Sequence, residues 1–289
     1  MLKYVLYRFK KNIPLKRTIN CKGNVIDLRH PKVMAILNFT PDSFYKSSRT
    51  KSDIKLLNKI ENILLQGATF IDIGAYSSRP GSPFVSYEEE SLRLFPALKI
   101  ILNEFPNALI SIDTFRSKIA KKAIDLGAAM INDISGGDRD PEMFSLISKT
   151  QTPYIIMHMR GDSMNMHKLN IYDHLIEDVF TELQFKVNRL IQMGHNDLIL
   201  DPGFGFAKNL DQNYQLMRNL KSLELLNVPI LVGISRKSMV YKVLEVDVNE
   251  SLNGSTVLHA YSLMNGASIL RVHDVKEAKE CIDLWTALQ

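Results

Sequence analysis

From residue 33 onward the chain alternates between short apolar runs and longer stretches of helical periodicity. Eight runs, at 33–38, 69–74, 108–113, 128–133, 153–158, 197–201, 229–235 and 267–273, are too brief for helices and end in small, polar or charged residues. Their nearly continuous apolar character is what parallel strands covered on both faces require. Amphipathic stripes fill the intervals. Ser86 and Glu89 predict a capping box ahead of Leu92, Phe95, Leu98, Leu102 and Phe105 on one helical face. Ile54, Leu57, Ile60 and Leu64 predict a helix ending near Gly67, residues 175–193 one that stops at Gly194, and 275–288 the last. Eight βα units in about 255 residues fit a (β/α)8 TIM barrel. A doubly wound open sheet is the alternative, but no Gly-x-Gly-x-x-Gly follows an early strand. Ahead of the barrel, 18–21 and 24–28 flank Lys22-Gly23 and predict a β-hairpin that plugs the barrel bottom. The organisation expected is a basic N-terminal extension over 1–17 and one barrel domain over 18–289.

Composition narrows the class. The 289 residues are 45% hydrophobic and 23% charged, as in a globular chain with room for a large core. No apolar run reaches the roughly 18 residues that span a bilayer. Charge interrupts the first residues before a signal-peptide core can form, so membrane and secreted readings are set aside. Two cysteines, Cys21 and Cys281, make no disulfide framework and point to a reducing compartment, hence a cytoplasmic protein. The net charge of +5 is uneven: the first 32 residues hold nine Lys/Arg against Asp27 alone. That excess reads as a solvated arm, with a polyanion-binding tail as the alternative; the body needs no nucleic-acid partner.

In a barrel all strands point the same way, so their C-terminal ends meet at one mouth. This gathers Asn38, Asp72, Asp113, Asn132, His158, Asp201, Ser235, Arg236, Lys237, Arg271 and His273. Carboxylates and amides suit a heterocycle that presents amide and amino donors. Arg, Lys and His suit a phosphate, the guanidinium in bidentate fashion. Arg271 and His273 are two apart and share a strand face, as do Ser235 and Lys237. With no Cys/His cluster and no His-Glu-x-x-His, a catalytic zinc site is not expected. The chemistry implied is an anionic leaving group beside a polar heterocycle.

These tips lie within longer signatures. Ile36-Leu37-Asn38-Phe39-Thr40-Pro41-Asp42-Ser43-Phe44, Asp72-Ile73-Gly74-Ala75-Tyr76-Ser77-Ser78-Arg79-Pro80-Gly81, Ser111-Ile112-Asp113-Thr114 and Ile131-Asn132-Asp133-Ile134-Ser135-Gly136-Gly137 are four. Met157-His158-Met159-Arg160-Gly161, Asp201-Pro202-Gly203-Phe204-Gly205-Phe206, Gly233-Ile234-Ser235-Arg236-Lys237-Ser238 and Arg271-Val272-His273-Asp274-Val275 complete the set. In this order, from about residue 18 to the C-terminus, the chain resembles the dihydropteroate synthase family of pterin-binding barrels.

The resemblance implies a transferase of folate biosynthesis that condenses 7,8-dihydropterin-6-ylmethyl diphosphate with 4-aminobenzoate. It also implies a homodimer, a Mg²⁺ cofactor and inhibition by sulfonamides. Carried over residue by residue, Asp201, Asn132, Asp113 and Lys237 read the pterin edges, and Gly233 lies in the same pocket. Ile134, Met157 and Phe206 flank the ring. Ser78, Arg271, His273 and Asn38 meet the diphosphate, Asn38 as the metal contact, and Asp72 supports from below. Thr40, Pro41, Phe44, Arg79 and Pro80, with Phe206, Ser235 and Arg236, form the 4-aminobenzoate subsite. Asp113, Lys237, Arg271 and His273 carry the catalysis. The chain departs from the family at Ser78, where Thr is usual, at Ala75-Tyr76 in place of Gly-Glu, and at 45–49, where a Gly-rich stretch is usual. Two rivals share the pterin pocket: a methyltetrahydrofolate:corrinoid methyltransferase, which has no use for a diphosphate cluster, and a non-catalytic pterin-binding paralogue.

Overall fold

Lys22 and Gly23 both take positive φ, 54° and 83°, the pair of left-handed residues that a two-residue hairpin turn demands. They join β1 (Thr18–Cys21) to β2 (Asn24–Asp27). The structure is a computed structural model and describes residues 16–39, 49–75, 85–162 and 164–289. After the hairpin, eight parallel strands close on themselves: β3 (Lys32–Asn38), β4 (Phe70–Gly74), β5 (Leu109–Asp113), β6 (Met130–Asp133), β7 (Tyr154–Met157), β8 (Leu198–Asp201), β9 (Ile230–Val232) and β10 (Ala267–Val272). Each pairs with its sequence neighbour, and β10 returns to β3 with Arg271 opposite Met34. The barrel and its plug therefore stand as the apolar runs predict.

The helices between strands are α1 (Arg49–Leu65), α2 (Tyr87–Glu104), α3 (Ser117–Asp125), α4 (Met143–Thr150) and α5 (Leu175–Gln192). They are followed by α6 (Leu210–Arg218), α7 (Ser238–Leu244), α8 (Leu252–Met264) and α9 (Val275–Ala287). None of the described helices is long and apolar enough to cross a membrane. Two stripes differ from expectation. On α2 the buried face is Leu94, Phe95, Leu98 and Ile101, while Leu92 is 70% exposed. On α1 it is Leu56, Ile60 and Ile63, while Ile54 faces solvent. Steps of three precess around a helix of 3.6 residues per turn, so 92 and 98, like 54 and 60, lie about 120° apart. The capping box is half formed. Ser86 Oγ accepts from Glu89 N at 3.1 Å, but the Glu89 carboxylate takes the Arg93 guanidinium instead.

Strand alternation sorts the core into two. Outward residues such as Leu37, Ile73, Ile112, Tyr154 and Leu200 pack under the helices. Inward residues at the strand starts, among them Met34, Phe70, Met130, Ile155, Ile199, Leu231 and Ile269, pack against Ile19, Cys21 and Leu28 of the hairpin region. The plug closes the lower end and keeps water from the inner face.

Candidate active site

Two residues beyond those inner positions, the inward side chains of four strands become polar: Asp72 above Phe70, Asn132 above Met130, Asp201 above Ile199 and Arg271 above Ile269. Arg271 crosses the barrel. Its Nε donates to Asp72 Oδ2 at 2.7 Å and its Nη2 to Asp113 Oδ2 at 3.0 Å, leaving Nη1 as the edge for an anion. Asn132 Nδ2 donates to the same Asp72 oxygen at 2.8 Å. Asp72 is fully buried. Two glycines hold the space open. A Cβ on Gly233 would stand 3.8 Å from Arg271 Cβ and 4.0 Å from Asp201 Oδ2, and one on Gly74 would stand 3.1 Å from Asp113 Cβ.

Asp201 lies at the end of β8 with its Oδ1 accepting from Gly203 N at 2.8 Å. Burial raises its pKa, and the Lys237 ammonium opposes that rise. The same burial lowers Lys237 to about 8, against the pull of Asp201. Lys237 Nζ donates to Phe204 O at 2.5 Å and sits 4.5 Å from the Phe206 ring centroid. Beside it, Ile134, Met157, Phe115 and Met159 make an apolar wall against which Phe206 packs. One side of the mouth thus offers charge-assisted hydrogen bonds, the other a flat apolar face.

Among the described residues Asn38, Asp113, Asn132, Ile134, Met157, Asp201, Phe206, Gly233, Lys237 and Arg271 stand at this mouth. Ser235 Oγ accepts from His273 N at 3.2 Å, tying the tips of the last two strands together. His158 is a correction. Met157 faces the mouth, so the next residue faces outward, and His158 is buried behind the sheet against Lys208 at 2.9 Å. Arg236 is otherwise engaged: Nε and Nη2 bond Asp274 at 2.8 Å, and Nη1 reaches the Val248 and Asn249 carbonyls. Thr40, Pro41, Phe44, Ser78, Arg79 and Pro80 lie outside the described residues. Sequence reasoning missed Phe115 and Met159, each two residues beyond a predicted site residue on its strand; parity alone could have found them. It also missed Lys208, which follows a signature and resembles an ordinary solvated helix start.

Asp113 has a strongly perturbed carboxyl. Burial and the neighbouring Asp72 raise it to about 7, while Arg271 pulls the other way. The folded chain therefore holds this proton to higher pH than the unfolded chain, where an Asp titrates near about 4. Its contribution to stability is full below about pH 4 and is lost as pH rises toward about 7. Thermal melts from pH 5 to 8 are expected to slope downward in the wild type and to flatten in Asp113→Asn. An unchanged slope in the variant would assign the effect elsewhere.

The described residues contain no group of three or more His, Cys, Asp and Glu side chains able to hold a metal ion. Asn38 is exposed at the end of β3, its Oδ1 3.6 Å from where a Gly74 Cβ would stand. A single amide oxygen fits Mg²⁺ whose other ligands are phosphate and water, and does not fit an all-protein cage.

The sequence matches the family described as "Pterin binding enzyme" over residues 34–273. It is 38% identical over 264 residues to the dihydropteroate synthase of Haemophilus influenzae, covering 91% of this chain and 95% of that one. The fold is similar to a Yersinia pestis dihydropteroate synthase solved with a sulfonamide drug, at TM-score 0.86 and 38% identity, over 94% of this chain and 98% of that one. A Thermus thermophilus dihydropteroate synthase in complex with 4-aminobenzoate aligns at TM-score 0.84 and 33% identity, over 94% and 100%.

Proposed function

The chain belongs to the pterin binding enzymes and, among them, to the dihydropteroate synthases, and from that membership we propose how its mouth works. It is an enzyme of folate biosynthesis, condensing a 7,8-dihydropterin-6-ylmethyl diphosphate with 4-aminobenzoate to give 7,8-dihydropteroate and diphosphate. The observation that carries the site reading is that Asp201, Lys237 and Arg271 lie close enough to shift one another's charge, beside an apolar wall.

Asp201 accepts from the ring amide and exocyclic amine, and Asn132 and Lys237 meet the remaining edges. Met157, Ile134 and Phe206 cover the ring faces. Arg271 through Nη1, with His273 and Ser78, takes the diphosphate. Asn38 would hold a Mg²⁺ ion, which would supply further neutralisation of the diphosphate charge. With its charge met, the diphosphate leaves as the methylene C–O bond breaks, and the electron-rich dihydropterin delocalises the cation. Asp113 lies beside the developing positive charge and shares Arg271 with Asp72 before substrate arrives. The neutral arylamine then forms the C–N bond and loses a proton to solvent, so no Ser-His or Cys-His nucleophile is needed. A homodimer and a cytoplasmic location complete the reading; Cys21 and Cys281 are buried free thiols.

The decisive assay is dihydropteroate formation from the two substrates, with and without Mg²⁺. Diphosphate with Mg²⁺ is expected to raise the melting temperature, which a corrinoid methyltransferase would not show. Sulfonamides are expected to inhibit competitively, with added 4-aminobenzoate restoring turnover. Turnover indifferent to a large sulfonamide excess would overturn the subsite reading.

A further inference from the structure

Lys208 closes the loop between β8 and α6, and only 8% of it is exposed. As an ammonium, a form that burial disfavours by lowering its pKa to about 7, it directs its three N–H donors to His158 Nδ1 at 2.9 Å, Gly203 O at 3.1 Å and Phe206 O at 3.1 Å. None remains for a ligand, so Lys208 is not a substrate contact. The same loop gives Phe204 O to Lys237, Ala207 O to the Tyr172 hydroxyl at 2.9 Å and Gly205 N–H to Asn213 Oδ1 at 2.6 Å. Left-handed backbone at Gly203, Gly205 and Ala207 (φ 72°, 81° and 47°) keeps the segment out of any helical ladder. Side chains from the surrounding elements therefore set its height. By accepting at Nδ1, His158 keeps its own proton on Nε2, which lies 3.1 Å from Glu182 Oε2. Burial keeps that ring neutral, lowering its pKa to about 4.

We propose that Lys208 is a positioning residue for the pterin subsite, fixing from behind the sheet the loop that carries Phe206 and the Phe204 carbonyl to which Lys237 is tethered. The proposal rests on the reaction given above. Removing the ammonium orphans three acceptors at once. The loop then shifts, and with it both the apolar lid on the ring and the cation beside Asp201.

Lys208→Met keeps the stem and deletes the donors. Steady-state kinetics are expected to show the KM for the pterin diphosphate rising about tenfold or more, and the KM for 4-aminobenzoate, whose subsite shares Phe206, rising by clearly less. Lys208→Gln, whose amide serves two of the three acceptors, is expected to recover part of the loss. A pterin KM within twofold of wild type in Lys208→Met, or equal losses for both substrates, would overturn the proposal. If Lys208→Met does not fold, Tyr172→Phe loosens the Ala207 end of the same loop. A rise of about threefold in pterin KM, larger than that for 4-aminobenzoate, is then expected, and no rise overturns the idea. A wild type that forms no dihydropteroate would instead defeat the reaction itself, a separate outcome.

Discussion

Asp201→Asn is expected to leave a folded barrel whose affinity for the pterin falls by about two to four orders of magnitude. The Asn oxygen can still accept from Gly203 N–H, the bond that Asp201 Oδ1 makes at 2.8 Å, so the loop keeps its anchor. What is lost is a charged acceptor for two ring donors. Each charge-assisted hydrogen bond contributes about 1.5–3 kcal/mol, and every 1.4 kcal/mol is about a factor of ten. The substitution also turns an N–H₂ toward donors that need an acceptor, and it removes the carboxylate that opposes the desolvation of Lys237. Titration with a pterin ligand, followed by fluorescence, measures the effect directly. Affinity within a factor of three of wild type would mean that the ring lies elsewhere.

Arg271→Met should be the most destabilising change at the mouth. Asp72 is fully buried, Asp113 nearly so, and both depend on this guanidinium. Deleting one partner of a buried ionic set costs about 3–5 kcal/mol, because uncompensated charge stays in the interior. For a chain of this size each kcal/mol moves the melting temperature by about 2–4 °C, so a fall near about 10 °C is expected. The double variant Arg271→Met with Asp72→Asn should recover much of that fall and none of the activity, since the diphosphate would still lack its cation. If the single variant melts with the wild type, the bridge seen between Asp72 and Asp113 does not hold the mouth together.

The two variants separate what Arg271 does for the fold from what it does for the reaction. In the free protein it spans the barrel and holds two carboxylates. In the proposed reaction its remaining edge would face the leaving group. The arrangement has a consequence for Asp113, whose raised pKa reflects burial beside Asp72 more than the help of Arg271. A cation shared between two buried acids is only partly available to either.

Much of the site was legible before any coordinates. The apolar runs ending in Asp113, Asp133 and Asp201 are strands ending at those residues, and the period of two puts Phe70 below Asp72 and Ile269 below Arg271. The helix faces were less legible. A stripe drawn at steps of three chose Leu92 and Ile54, both at the surface, because it ignores the rotation that accumulates over two such steps. His158 was counted with the mouth although its neighbour Met157 already claimed the inward position. The rule that misplaces it is proximity along the chain; the rule that places it is alternation.

Local forces account for what the sequence determined by itself: the Lys22-Gly23 turn, the Ser86 cap, eight buried strands and the faces on which their residues lie. Each depends on neighbours within a few positions, where backbone sterics and side-chain spacing act. Only the closed barrel decided which charge meets which. Arg271 finds Asp72 at a separation of 199 residues and Asp113 at 158, and Lys208 finds His158 at 50. The energy of such a buried pair comes from geometry and exclusion of water at the point of contact, and neither exists until β10 has closed against β3.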